Sequence, residues 1–335
     1  MRFAKEYLSK GGFIERIKKE LYDSVLPTRS VIKTSLEYVS HHWLNMDTCD
    51  LWEEVRGDFF YTRFVQRSSL LMASEFALEM DDPGASQWYL QQATTISETL
   101  DLHWSQSLGY IVSGLNNQGE SIRSGLDISV ILAIIQTPVP DTTSFSATDD
   151  RVLATIQPLV DSFDQLYNVN REVVDSHGRL LGPAMGRYPE DVYDGIGVSL
   201  GMQTIYLTKK GNPWYLATTA IAEYLYTVSR MWRQQKRIQI TERSLGFFQK
   251  FLEIPLVQDN GSYTPDTKLY KIIQSRLISK GDAFLRRVKH HSVDGRLSEE
   301  FTRDKGLPRG AQDLTWSYAA LLTVSKVRLR ALEGF

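Results

Sequence analysis

Apolar residues return every three to four positions through stretch after stretch of this 335-residue chain, a spacing that places them on one side of a helix. Over residues 61–79 Phe64, Ser68, Leu71 and Ala73, with Phe76 and Leu78, recur at mixed three- and four-residue spacing, as in an amphipathic helix. Similar patterns fill 30–43, 83–102, 149–167, 213–232, 267–290 and 314–332, and the most apolar run, 128–135, reads as a core helix. Two starts are marked. Asn212 before Pro213 reads as an N-cap with proline in the first turn, and Asp149-Asp150 puts negative charge where a helix N-terminus favours it. Tyr110-Ile111-Val112 is a short strand candidate, with no alternating β pattern elsewhere. Long segments rich in Gly, Pro, Ser and Asp (109–124, 137–149, 176–211, 257–265, 292–312) separate the helices. Loops of that length on a helical scaffold usually carry function. The order points to an all-α helical barrel or solenoid, and periodicity alone does not choose between them.

Charge and cysteine content narrow the function classes. A formal net charge of -2 gives no electrostatic reason to expect nucleic acid or an anionic membrane as partner, whereas a neutral, polar substrate suits it. The one cysteine, Cys49, excludes an internal disulfide framework and any CxxC motif; it reads as a small buried side chain. No run reaches the roughly 18 apolar residues of a membrane span, and residues 1–10 lack the apolar stretch of a signal peptide. His41-His42 and His290-His291 are adjacent pairs, which point to different faces of a helix and do not make an i, i+4 metal site. No metal and no cofactor is expected.

Three clusters carry candidate chemistry. Asp50-Leu51-Trp52-Glu53-Glu54-Val55 gathers three carboxylates around one tryptophan between two helical patterns. A tryptophan face can platform a sugar ring, and crowded carboxylates raise one another's pKa, as a general acid needs; a solvated acidic helix start is the bland alternative. Leu297-Ser298-Glu299-Glu300-Phe301 lies in a loop flanked by glycine and arginine, with a plain solvated loop as its alternative. In Gly186-Arg187-Tyr188-Pro189-Glu190-Asp191 the proline fixes the backbone and Arg187 beside Tyr188 offers donors for sugar hydroxyls; a salt-bridged loop would look the same.

Taken together, these clusters resemble the fungal glucoamylases, the glycoside hydrolase family 15 type. Leu36-Glu37-Tyr38-Val39, the Asp50–Val55 cluster, Gly57 and Phe59-Phe60 are similar in order and spacing to their general-acid region. Gly186–Asp191 and Gly211-Asn212-Pro213-Trp214 are similar to their substrate loop and following helix. Leu297-Ser298-Glu299 resembles their general-base loop, and residues 313–322 their last helix.

That resemblance implies an (α/α)6 barrel of the six-hairpin glycosidase type, residues 1–335 forming one catalytic domain without a starch-binding domain. It implies an inverting exo-hydrolase that releases β-glucose from α-1,4-linked (more slowly α-1,6-linked) ends of starch- or glycogen-like chains. Water is the second substrate. Glu53 matches the acid and Glu299 the base, with Asp50 beside the acid; Trp52, Glu54, Arg187, Tyr188, Asp191, Trp214 and Glu300 fall at substrate-pocket positions. Inversion expects the two carboxyls roughly 6.5–9.5 Å apart. Asp50, Glu54 and Trp52 are expected to raise the acid's pKa, and Arg296, Arg303 or Arg309 to keep the base ionised.

The family's Trp-Thr-Arg-Asp and Gly-Arg-Pro-Gln-Asn-Asp-Gly segments are not found here, so the first helices of the barrel are expected to be missing. A catalytically inactive carbohydrate-binding remnant is therefore the alternative reading. About ten residues near 201–210 interrupt the usual link before Asn212. The family occurs outside cells and in vacuoles.

Overall fold

A computed structural model describes residues 1–45, 48–118, 123–137, 143–196, 210–258 and 260–333. The interruption read near 201–210 lies outside these residues except for Lys210. They fall into two compact units, the first 1–103 with 114–118, the second 104–113 with 123–333.

The first unit holds α1 (Arg2–Ser9), α2 (Ile14–Glu20), α3 (Val31–His42), α4 (Phe60–Glu79) and α5 (Pro83–Leu100). Three residues join α4 to α5, and the two pack along their lengths as such a short link requires. Asp82 caps α5 by accepting from Ala85 N at 3.2 Å, with Pro83 in the first turn. The same carboxylate receives Lys33 Nζ at 2.8 Å and Tyr22 Oη at 2.9 Å. Lys33, 2% exposed, also meets Glu37 at 3.0 Å, so a buried ion network ties α3 to the α4–α5 pair. Around it lies a core that includes Tyr22, Leu36, Trp43, Leu70, Phe76, Tyr89 and Ile96.

Within α4 the buried face takes Phe64, Ser68, Ala73 and Phe76 as the spacing predicts, but Leu78 is exposed and Leu71 half-buried. The buried side also takes in Arg67, Leu70, Ser74 and Ala77. Beside α4 stand β1 (Thr48–Cys49) and β2 (Arg56–Phe59), antiparallel with Cys49 opposite Arg56. Cys49 is exposed, not buried as expected. Side chains alternate along a strand, and here the next residue, Asp50, takes the inward position.

The second unit holds β3 (Trp104–Ser105) paired with β4 (Tyr110–Ile111) and, later in the sequence than the first unit's β5 (Gly114–Gln118, paired with β2), α6 (Ser129–Gln136) and α7 (Asp150–Asp164). Next come α8 (Tyr215–Gln235), β6 (Ile238–Gln239) paired with β7 (Ser262–Tyr263), and α9 (Lys268–His291). The unit ends with β8 (Glu300–Phe301), β9 (Pro308–Arg309) and α10 (Thr315–Leu332). These strands are too short to print an alternation on the sequence. Asp149 caps α7 through Arg151 N at 3.0 Å, as its charge predicts.

Helix α8 is buried without a break from Tyr215 to Tyr226, the pattern of a helix packed on all sides; α6, α9 and α10 lie against it. Gly281 of α9 lets the Tyr226 ring approach to where a Cβ would stand 2.7 Å from it, and Tyr226 Oη donates to Asp282 at 2.6 Å. Asp282 in turn receives Arg328 of α10 at 2.7 Å. One carboxylate thus joins three helices.

Helix α8 starts at Tyr215 with Trp214 as N-cap, so Asn212-Pro213 is not its cap. The Asn212 side chain is engaged elsewhere, with Glu300 and Arg303.

Candidate active site

In the first unit the acidic cluster is the turn of the β1–β2 hairpin. Asp50 N donates to Val55 O at 2.9 Å and Glu53 N to Asp50 O at 3.1 Å, closing the loop. Asp50 Oδ1 accepts from Glu54 N at 2.7 Å and Val55 N at 3.3 Å. A 7%-exposed carboxylate is therefore spent on orienting backbone, so Asp50 holds the loop's shape in addition to any influence on its neighbours. Glu53 sits exposed at the tip with φ of 61°, a left-handed conformation that costs an ordinary L-residue about 1 kcal/mol. Trp52 is half-buried and Glu54 exposed. At the hairpin's foot Arg63 of α4 binds Asp58 at 2.6 Å and the Trp43 carbonyl, its guanidinium 5.2 Å from the Trp43 ring.

In the second unit the 184–193 loop is fastened at each step. Ala184 N donates to Asn170 Oδ1 at 2.7 Å, Met185 N to Thr218 Oγ1 at 3.1 Å, and Ile128 N to Arg187 O at 2.9 Å. On this frame Arg187 and Asp191 form a two-pronged pair, Nε to Oδ2 at 2.8 Å and Nη2 to Oδ1 at 2.6 Å, both buried. Such a fork is the strong form of a charged hydrogen bond. The Arg187 guanidinium also lies 5.4, 5.1 and 5.5 Å from the rings of Tyr188, Tyr193 and Trp214, so aromatic faces close on it from several sides. Tyr188 carries a second cation, Arg123, 3.9 Å from its ring.

Glu300, the first residue of β8, and Glu299 just before it approach this wall. Glu299 N donates to Ala311 O at 2.8 Å, Phe301 N donates to Pro213 O at 3.0 Å, and Glu300 bridges Trp214. Glu299 Oε2 accepts from Tyr193 Oη at 3.2 Å and from Ala311 N at 3.2 Å. Gly310, with φ of 73°, sits against that carboxylate where no Cβ fits. Glu300 is fully buried, its Oε2 taking Asn212 Nδ2 at 2.9 Å. Burial pushes its carboxyl up to about 8, with the charges of Asp191 and Glu299 adding to the rise and Asn212 and Arg187 opposing it. It is therefore largely neutral at pH 7, a donor as well as an acceptor.

The cations expected to hold Glu299 ionised are occupied elsewhere. Arg296 faces Asp313 at 3.8 Å, Arg303 donates to the carbonyls of Gly211 and Leu166, and Arg309 binds the Asp194 carbonyl at 2.7 Å. The contacts are instead a phenol and a backbone N–H, because β8–β9 pairing and the Gly310 turn bring Ala311 rather than an arginine head to the carboxylate.

The second unit thus brings together Arg187, Tyr188, Asp191, Trp214, Glu299 and Glu300, and the first gathers Asp50, Trp52, Glu53 and Glu54. Tyr193 and the Asn212 amide were missed from sequence. A tyrosine two residues past Asp191, in the same polar-aromatic run, was the available signal. Asp194, Asn212, Arg303 and Arg309 also line a polar hollow of about 500 Å³, whose described lining does not include Glu299 or Arg187. Among the described residues no group of three His, Cys, Asp or Glu is placed to hold a metal ion, and no helix is long and apolar enough to cross a membrane.

The sequence profile described as Glycosyl hydrolases family 15 matches residues 4–326. A glucoamylase of Blastobotrys adeninivorans is 39% identical over 333 residues, 98% of this chain and 51% of its own length. Glucoamylase 1 of Rhizopus oryzae is 34% identical, over 90% of this chain and 47% of its own. Among solved structures, the family 15 glucoamylase from Hypocrea jecorina superposes with a TM-score of 0.77 at 32% identity, covering 94% of this chain and 49% of that one. The glucoamylase from Saccharomycopsis fibuligera gives 0.78 at 27%, covering 90% and 61%. The all-α, (α/α)6-barrel class expected from the sequence is the class of these neighbours. The chain spans about half the length of the curated relatives it matches.

Proposed function

The chain belongs to glycosyl hydrolase family 15, and on that premise we propose that it is a glucan 1,4-alpha-glucosidase acting on non-reducing ends of starch- or glycogen-type chains. Residues 1–335 then form one catalytic domain. Water is the co-substrate, and the product is β-glucose. In this reading Glu53 protonates the glycosidic oxygen while Glu299 takes a proton from water, whose oxygen bonds to the anomeric carbon from the opposite face as the glycosidic bond breaks. Asp50 sets the hairpin that presents Glu53. Arg187 and Asp191, with Tyr188 and Trp214, form a sugar-binding wall, and neutral Glu300 stands behind the base. Trp52 and Glu54 border the acid.

The observation that carries this reading is the setting of Glu299: a half-buried carboxylate beside a clamped arginine caged in aromatic rings. That surface has the apolar faces and charged fork that sugars bind, next to a base. The alternative reading is a carbohydrate-binding remnant without turnover. Incubation with maltotriose, followed by NMR of the anomeric protons, separates the two. Initial β-glucose supports the hydrolase. Initial α-glucose overturns inversion, and line broadening of the sugar with no glucose supports the remnant.

A further inference from the structure

Both hydrogen bonds that the described residues give to the Glu299 carboxylate fall on one oxygen, Oε2. One donor is Ala311 N, fixed by the strand it follows. The other is the phenol of Tyr193, a residue outside the substrate wall read from the sequence. Its place is set three times over. Tyr193 N donates to Asp191 Oδ1 at 2.8 Å, the carboxylate already clamped by Arg187. Its ring lies 5.1 Å from the Arg187 guanidinium, and the Trp214 ring stands 6.1 Å away at 40°. The ring therefore cannot swing from Glu299 without disturbing the Arg187–Asp191 pair.

We propose that Tyr193 is the positioning residue of the base: its hydroxyl pins Glu299 Oε2, leaving Oε1 to face water, and links that orientation to the sugar-binding arginine. The inference rests on Glu299 being the base. A phenol suits the task because it stays protonated. Burial pushes Tyr193 up to about 12, helped by the charges of Glu299 and Glu300 and opposed by Arg187. It remains a donor throughout the range in which the base works. Arg187 lies against the same ring, so a sugar drawn to Arg187 meets a base already turned to face water.

Tyr193→Phe keeps the ring and removes only the hydroxyl, which separates packing from hydrogen bonding. With maltotriose, kcat should fall on the order of tenfold with KM within about twofold. A ring that only packs would leave both constants unchanged, since phenylalanine keeps it. The second measurement needs no turnover: in protein carrying 13C-labelled glutamate carboxyls, the Glu299 resonance, assigned by its loss in Glu299→Gln, should move in Tyr193→Phe as the phenol's hydrogen bond is removed. An unmoved resonance overturns the proposal, as does a loss confined to KM. Hydrolysis retained by Glu299→Gln would overturn the choice of base while a moved resonance left the Tyr193 contact standing, so the two failures are distinct.

Discussion

Asn212 donates its Nδ2–H to Glu300 Oε2 at 2.9 Å, while the other oxygen of this fully buried carboxyl, Oε1, has no hydrogen-bond partner among the described residues. Burial, with Asp191 and Glu299 nearby, lifts this group from its ordinary 4.5 to about 8. A carboxyl raised on folding stabilises the native state fully below its unfolded value, and that contribution is lost as pH rises through the folded one. The protein should therefore lose stability between about pH 4.5 and 8, by up to about 5 kcal/mol from this group. Glu300→Gln keeps an acceptor for Asn212 and cannot ionise, so its urea-unfolding stability should vary less over that range. Parallel pH curves for the two proteins would show that Glu300 does not titrate there.

Glu53 is the tip residue of the β1–β2 hairpin and holds a φ of 61°. Glycine meets no Cβ clash in that region, so Glu53→Gly should unfold at equal or higher urea, with a gain of up to about 1 kcal/mol, while hydrolysis is abolished. Asp50 behaves in the opposite way. Its carboxylate holds Glu54 N and Val55 N, and Asp50→Ala should cost roughly 1–2 kcal/mol. Destabilisation by Glu53→Gly would mean that the Glu53 side chain supports the fold, not a reaction.

These contacts mark where sequence reading stopped. The long helices were legible because packing repeats with the helix period: α5, α7, α9 and α10 lie where apolar spacing put them. The start of α8 was not, since Asn212 has the chemistry of a cap yet serves Glu300, 88 positions away. The acidic cluster around Trp52 was legible as a cluster, but that Asp50 faces inward and Glu53 outward follows from a two-residue strand pairing, which leaves no pattern. Arg296, Arg303 and Arg309 were near Glu299 in sequence, whereas the groups that touch it come from Tyr193 and a backbone amide after Gly310. Proximity along the chain is a weak guide where a glycine turn reverses it.

On α10, Leu322 and Leu329 are 64% and 61% exposed, two turns apart on one face, with Ala319 also exposed. In the first unit Phe3 and Phe13 are 76% and 77% exposed. Apolar surface of this kind binds hydrophobic dyes and promotes association. Expressed as given, the chain should enhance anilinonaphthalene sulfonate fluorescence and elute from size exclusion ahead of a 38.3 kDa monomer. Leu322→Lys with Leu329→Lys should reduce both signals. A dye-silent, monodisperse monomer would show these faces to be harmless.

The two glutamates are separated most sharply by the leaving group. An α-glucosidic oxygen departs poorly without a proton, so a variant lacking the acid should fail on maltose; fluoride departs with little help, so the same variant should recover on α-glucosyl fluoride. Attack by water is required in both reactions, and a variant lacking the base fails in both. Glu53→Gln should therefore lose on the order of a hundredfold or more in kcat on maltose and regain most of it on the fluoride, while Glu299→Gln stays slow on both. Sugar binding should persist in each, since the Arg187–Asp191 fork and its aromatic cage are untouched. Equal recovery by the two variants would show that the roles are wrongly assigned; recovery by Glu299→Gln alone would exchange them. Hydrogen bonding favours the assignment given. Glu299 receives two donors on one oxygen, which fixes the direction in which its carboxyl faces.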